Sequence, residues 1–142
     1  MLVAAWVVVT MSFAGVLIQK AYAHGTEKHE SKHRPDAGLK HVHNLMSVYE
    51  DCFNRISDAL KTESKDQLLR EGERLLAASR ELNNANPYKQ GKQAKVFKKH
   101  SQEFERDTAG LVAFITQGNI EKSAMMFKQV EQKCLSCHAV FN

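Results

Sequence analysis

The feature that most constrains the fold is an apolar repeat whose steps alternate between three and four residues. In the segment 39–60 the repeat consists of Leu39, Val42, Met46, Tyr49, Phe53, Ile56 and Leu60. This spacing places the apolar side chains on one face of an α-helix. Segments at about 65–82, 91–116 and 120–140 have a similar apolar face. The sequence therefore predicts four amphipathic helices.

Short breaks separate the four predicted helices. The second ends in the stretch Asn83 to Pro87, because Asn favours helix caps and Pro cannot continue a helix. The third ends at Gln117-Gly118-Asn119. Amphipathic helices joined by short connections predict an all-α, antiparallel four-helix bundle. A chain of 142 residues is long enough for one such domain, which we assign to residues 38–142.

The first 37 residues differ in composition from the rest of the chain. Residues 2–18 are almost entirely apolar and lead to Ala21-Tyr22-Ala23, a pattern typical of signal-peptide cleavage. We expect residues 1–23 to be a signal peptide that exports the chain to the periplasm. No Lys or Arg precedes the apolar run, so an uncleaved membrane anchor is the alternative. Residues 24–37 are polar and His-rich and predict a flexible linker.

The last predicted helix contains Cys134-Leu135-Ser136-Cys137-His138, which is a C-x-x-C-H sequence. This spacing lets each thiol add to one vinyl group of the same haem, and the adjacent histidine then faces the iron. We expect one covalently bound haem c, with Cys134 and Cys137 as anchors and His138 as the proximal iron ligand. A redox C-x-x-C normally follows a strand, whereas this one lies at the end of a predicted helix. A structural zinc site normally needs four ligands, often two such pairs, and this chain has one pair.

A four-helix chain with C-x-x-C-H in the final turns of its last helix resembles the cytochrome c-prime family (class II c-type cytochromes). The resemblance covers about residues 38–142. Phe141 matches an aromatic residue that the family has three positions after the histidine. Two positions depart from the family. The family usually has an Arg where this chain has Asn142, and it often has an Arg where this chain has Val42. The resemblance implies that the first helix faces the second side of the haem.

The resemblance leaves the second axial ligand open. With Phe53 at the family's aromatic position, Met46 lies over the iron. Low-spin members have a ligating Met there, whereas gas-binding members have an apolar residue and an open site. His43 is the rival ligand, and Met46 could also be core filler. The apolar faces predict these pocket walls: Leu39, Val42, Tyr49, Phe53, Phe97, Phe104, Phe127 and Val130.

These features favour electron transfer with other periplasmic redox proteins, through small transient contacts. The alternative function is binding of nitric oxide or carbon monoxide by a five-coordinate haem. A third hypothesis is metal handling by the histidines of residues 24–37. The sequence indicates no catalytic constellation, such as a nucleophile beside a base, so we do not expect an enzyme.

The charged residues and two residues of the first helix bear on partners. The net charge of +4 is spread over interspersed charges, so we expect no nucleic-acid partner. The Lys-rich stretch 89–99 is either a solvated helix face or a surface that steers an acidic partner.

Leu45 and Cys52 lie just beside the apolar face of the first helix and would suit a homodimer contact. Cys52 could instead be a small buried side chain.

Overall fold

The structure is a computed structural model, which describes residues 37–88 and 90–141. It contains four α-helices: α1 (Ala37–Lys61), α2 (Lys65–Asn84), α3 (Lys92–Thr116) and α4 (Ile120–Phe141). These bounds differ by at most two residues from the predicted ones, and the described residues contain no strand. The all-α four-helix prediction is therefore confirmed. The predicted signal peptide 1–23 and all but the last residue of the linker 24–37 lie outside the described residues.

Each helix packs against the next one along the chain: α1 against α2, α2 against α3, and α3 against α4. The connections are short, so consecutive helices run antiparallel. The starts of α1 and α3 therefore lie at the same end of the bundle as the ends of α2 and α4. We call this end the motif end, because it contains the C-x-x-C-H sequence. None of the helices in the described part is long and apolar enough to cross a membrane.

The turn between α3 and α4 shows how local sequence reverses the chain. Gly118 adopts a φ of 70°, and its N–H donates to the Ile115 carbonyl at 2.8 Å. The Asn119 N–H donates to the Phe114 carbonyl at 3.1 Å, which completes a Schellman motif and ends α3. The Asn119 side-chain oxygen then accepts a hydrogen bond from the Lys122 N–H at 3.0 Å and caps α4. The last helix is thereby directed back towards the motif end.

The core of the bundle uses the predicted apolar faces, with one difference in α1. The buried side chains of that helix are Leu45, Tyr49, Cys52, Ile56 and Ala59. Leu39 is 42 % exposed, and Met46 and Phe53 are only half-buried. The buried side of α1 is thus turned towards α2, on which it chiefly packs. Of the predicted apolar repeat, Tyr49 and Ile56 are buried, whereas Val42, Met46, Phe53 and Leu60 lie at the edge of the buried side.

The suggested homodimer contact through Leu45 and Cys52 is wrong. Leu45 is 5 % exposed and Cys52 is fully buried, so both side chains are used inside one chain. The other interpretation of Cys52, a small buried side chain, is confirmed. Burial also raises the pKa of the Cys52 thiol, which keeps it protonated and unreactive.

Candidate haem site

Two adjoining cavities lie at the motif end. The first has about 380 Å³ of empty space and is lined by Met46, Tyr49, Leu82, Phe97, His100, Ser101, Phe104, Lys133, Cys134, Cys137 and His138. The second has about 720 Å³ and is lined by Leu39, Val42, His43, Met46, Leu82, Pro87, Tyr88, Phe97, Cys137, His138 and Phe141. Because five residues line both cavities, we describe them together as the crevice.

The cysteines of the motif line the crevice from the last turns of α4. Cys134 and Cys137 are three residues apart on the helix, so their side chains lie on the same side. Both are half-buried free thiols, whereas the intervening Leu135 is 63 % exposed. Helical spacing therefore presents two thiols to one cavity, as attachment of a single macrocycle requires.

The protein environment keeps both thiols protonated in the haem-free chain. Burial, together with the neighbouring Cys137, raises the pKa of Cys134 to about 12. Burial also raises the pKa of Cys137. Because the thiolate is the reactive form of cysteine, these side chains are poor nucleophiles as long as the crevice remains closed to water.

His138 and Met46 line both cavities from different helices. His138 is an exposed residue in the last turn of α4, and Met46 is a half-buried residue in the third turn of α1. His43, the rival ligand, is exposed and lines only the second cavity. Met46 and His138 therefore line the same two cavities, whereas His43 lines only the second one.

The predicted pocket residues fall into two groups. Leu39, Val42, Tyr49, Phe97 and Phe104 line the crevice. Phe53, Phe127 and Val130 line neither cavity, which departs from the prediction. The rings of Phe53 and Phe127 contact each other with centroids 5.3 Å apart, and Val130 is fully buried. Phe127 does not reach the crevice because it precedes Cys134 by seven residues, which is about 10 Å along α4.

Tyr49 forms a fixed part of the crevice wall. Its hydroxyl donates a hydrogen bond to the Ala78 carbonyl of α2 at 2.9 Å. Its ring meets the Phe104 ring of α3 edge-on, with centroids 5.2 Å apart. Burial raises the pKa of Tyr49, so the phenol stays neutral. This part of the wall is therefore rigid and uncharged.

The connection between α2 and α3 closes one side of the crevice. A Cβ on Gly38 would lie 3.0 Å from the Asn86 carbonyl oxygen, so the glycine lets the start of α1 approach this connection closely. Pro87 is buried, and Tyr88 stacks on Phe141 with ring centroids 5.3 Å apart. The last turn of α4, which contains His138, is thereby packed against the connection.

Sequence reasoning missed several residues of the crevice. They are Leu82, Pro87, Tyr88, His100, Ser101 and Lys133. His100 had a usable signal, because it lies between Phe97 and Phe104 at the edge of their apolar face. Lys133 had none, since its position depends on ion pairs across helices: its Nζ is 3.0 Å from the Glu103 carboxylate and 3.9 Å from that of Asp107.

The crevice residues fit a c-type haem. Such a group needs two thiols and a histidine on one side of a largely apolar cavity, and Cys134, Cys137 and His138 are so placed. The described residues contain no group of three His, Cys, Asp or Glu side chains that could hold a metal ion by themselves. Haem iron brings the ligands of its macrocycle, so it needs only axial ligands from the protein.

Comparisons with known proteins add no relative. No protein-family model matches the chain, and no curated protein or solved structure matches it significantly. The resemblance to cytochromes c-prime therefore depends on the C-x-x-C-H sequence and on the four-helix architecture.

Proposed function

We propose that the chain is a c-type cytochrome that transfers electrons, with one haem bound covalently in the crevice. The observation that carries this proposal is the placement of Cys134, Cys137 and His138 on one helix, facing a crevice with aromatic and aliphatic walls. We further propose that the protein acts in the periplasm with other redox proteins and has no catalytic activity of its own.

Each crevice residue has a definite task in this proposal. Bound there, the haem supplies a one-electron ferric/ferrous couple. Cys134 and Cys137 would hold the macrocycle on α4, and His138 of the same helix would bind the iron. Phe97 and Phe104 exclude water and lower the local dielectric, which helps to set the reduction potential.

We propose that Met46 would be the second residue to bind the iron. It lines both cavities with His138 and comes from another helix. Binding by a thioether and an imidazole would raise the reduction potential and close the iron to added ligands. Fixed ligation on both sides also keeps structural change small when the electron moves, and the neutral, hydrogen-bonded Tyr49 supports the same rigidity.

Optical spectra of the holoprotein, with and without carbon monoxide, test this proposal. We expect a low-spin spectrum in both oxidation states and no change when carbon monoxide is added to the ferrous form. The Met46→Leu variant should become high-spin and bind carbon monoxide. Met126→Leu is the matched control, because Met126 is a half-buried residue of α4 that lines neither cavity.

Two other spectral results would change the proposal. If the wild-type protein binds carbon monoxide at once, Met46 is only a packing residue and the gas-binding alternative takes its place. If Met46→Leu stays low-spin and His43→Leu becomes high-spin, the second ligand is His43. In that case electron transfer remains the function, with a lower reduction potential.

A further inference from the structure

The first half of α3 carries a row of exposed lysines at the motif end. Residues 92–102 contain four lysines and no carboxylate. Lys92, Lys95 and Lys99 are exposed and follow each other at steps of three and four, so they share one side of the helix. We call these three residues the lysine face.

The fourth lysine of this segment has a structural role that the lysine face lacks. The Lys98 Nζ donates a hydrogen bond to the Asn83 carbonyl at 2.6 Å and so binds the end of α2. Lys92 and Lys95 form no ion pair within the described residues. Lys99 is 4.0 Å from Glu103 in an exposed pair, which adds little stability. The fold therefore does not explain the lysine face.

The lysine face lies at the motif end of the bundle, and Lys99 links it to α4 through a shared carboxylate. The Glu103 carboxylate near Lys99 also accepts a hydrogen bond from the Lys133 Nζ of α4 at 3.0 Å. His100, the residue after Lys99, lines the crevice together with the C-x-x-C-H residues. The lysine face is therefore at the same end of the bundle as the proposed haem.

An exposed apolar side chain lies on the neighbouring surface of α4. Val140 is 54 % exposed and follows Lys133 by seven residues, so both lie on the side of α4 that adjoins α3. A small apolar centre with charged residues around it is the usual composition of a protein contact surface. Val140 and the lysine face together have this composition.

We propose that the lysine face and Val140 form the docking surface for an acidic redox protein, an inference that rests on the electron-transfer function proposed above. Carboxylates of the partner would lie against the lysines and would bring its redox centre to the crevice. Such complementarity raises association rates by about 10- to 10³-fold at low salt. A small, mostly polar contact also lets the partner leave after each electron.

The test measures reduction of the ferric holoprotein by a reduced flavodoxin, an acidic redox protein, in a stopped-flow instrument. The second-order rate constant of the wild type should fall as ionic strength rises. In the triple variant Lys92→Glu/Lys95→Glu/Lys99→Glu it should be at least about tenfold lower at low salt and should no longer fall with salt. Val140→Asp should also lower the rate constant.

The matched control places the same charge changes at the opposite end of the bundle. Lys61→Glu/Lys65→Glu/Lys122→Glu alters residues beside the α1–α2 and α3–α4 turns, and its rate constant should stay close to that of the wild type. Equal losses in the two triple variants would show an effect of net charge alone and would overturn the docking surface. An unchanged rate constant in the lysine-face variant would overturn it as well.

Reduction by dithionite separates this proposal from the proposed function. If dithionite reduces all variants completely, the haem is competent and the flavodoxin data test only the docking surface. A chain without a reducible haem would instead overturn the electron-transfer function. Vesicles of phosphatidylcholine and phosphatidylserine test a membrane partner: if they bind through the lysine face while flavodoxin rates are unaffected, the proposal is wrong.

Discussion

The Tyr49→Phe variant tests how the crevice wall is held. The substitution removes the hydrogen bond of 2.9 Å from the phenol to the Ala78 carbonyl and keeps the ring that contacts Phe104. The carbonyl lies inside α2 and keeps its helical hydrogen bond from the Leu82 N–H. No buried acceptor is left without a partner, so the expected cost is the net value of one hydrogen bond, about 1 kcal/mol.

Urea unfolding of the holoprotein, followed by circular dichroism, measures this loss. The midpoint should fall while the m-value stays the same, and the melting temperature should fall by about 4–8 °C for a domain of this size. Tyr88→Phe is the control, because the Tyr88 hydroxyl makes no hydrogen bond within the described residues. No loss in Tyr49→Phe, or a loss above about 3 kcal/mol, would refute this account of the wall.

The same variant has a defined pH dependence. Burial raises the pKa of Tyr49 in the folded protein, whereas an unfolded tyrosine titrates near pH 10. The neutral phenol therefore contributes its full stability below about pH 10, and this contribution is lost as the pH rises further. The advantage of wild type over Tyr49→Phe should shrink above about pH 10. A constant difference up to pH 11 would contradict the assigned burial of the phenol.

Three further predictions concern other parts of the chain. In the haem-free chain Cys134 should react with iodoacetamide at pH 8 on the order of 10²- to 10³-fold more slowly than in urea, because burial raises its pKa to about 12. Peptide mass mapping follows the reaction, and equal rates in the two conditions would refute the raised pKa. Gly118→Ala should cost about 1 kcal/mol in urea unfolding, since its φ is 70°, and Gly118→Asn should cost less. Arg74→Met should lower the free energy of unfolding by about 1–3 kcal/mol, because the buried Glu71 carboxylate loses the Arg74 guanidinium that lies 3.4 Å from it. Adding Glu71→Gln should restore much of the lost stability.

The sequence predicted the helices well because the determinants are local. Apolar spacing marks each helix, and the caps at Gly118 and Asn119 depend on a few adjacent residues. The side of α1 that becomes buried was harder to predict from the sequence. Leu45 and Met46 are adjacent in the sequence and both are apolar. Only the packing of α1 on α2 decides that Leu45 enters the core while Met46 lines the crevice.

The candidate site was predicted in part for the same reason. Cys134, Cys137 and His138 share one short motif, so their common side follows from helical geometry. His100 and Lys133 come from different helices, and their presence at the crevice depends on how α3 and α4 pack. The depth of the crevice could not be predicted either, because periodicity places Phe104 on the apolar face of α3 and Phe127 on that of α4 without showing which of them reaches the cavity.

Intact-mass measurement after acid–acetone extraction tests whether haem is covalently attached at Cys134 and Cys137. The chain is produced with a cytochrome c maturation system, and free haem is removed before the measurement. We expect the mass of the chain plus one haem for wild type and for the control Cys52→Ala, whose side chain is buried away from the crevice. Cys134→Ala/Cys137→Ala should have the mass of the chain alone. Wild-type protein that loses all haem on extraction would contradict the account.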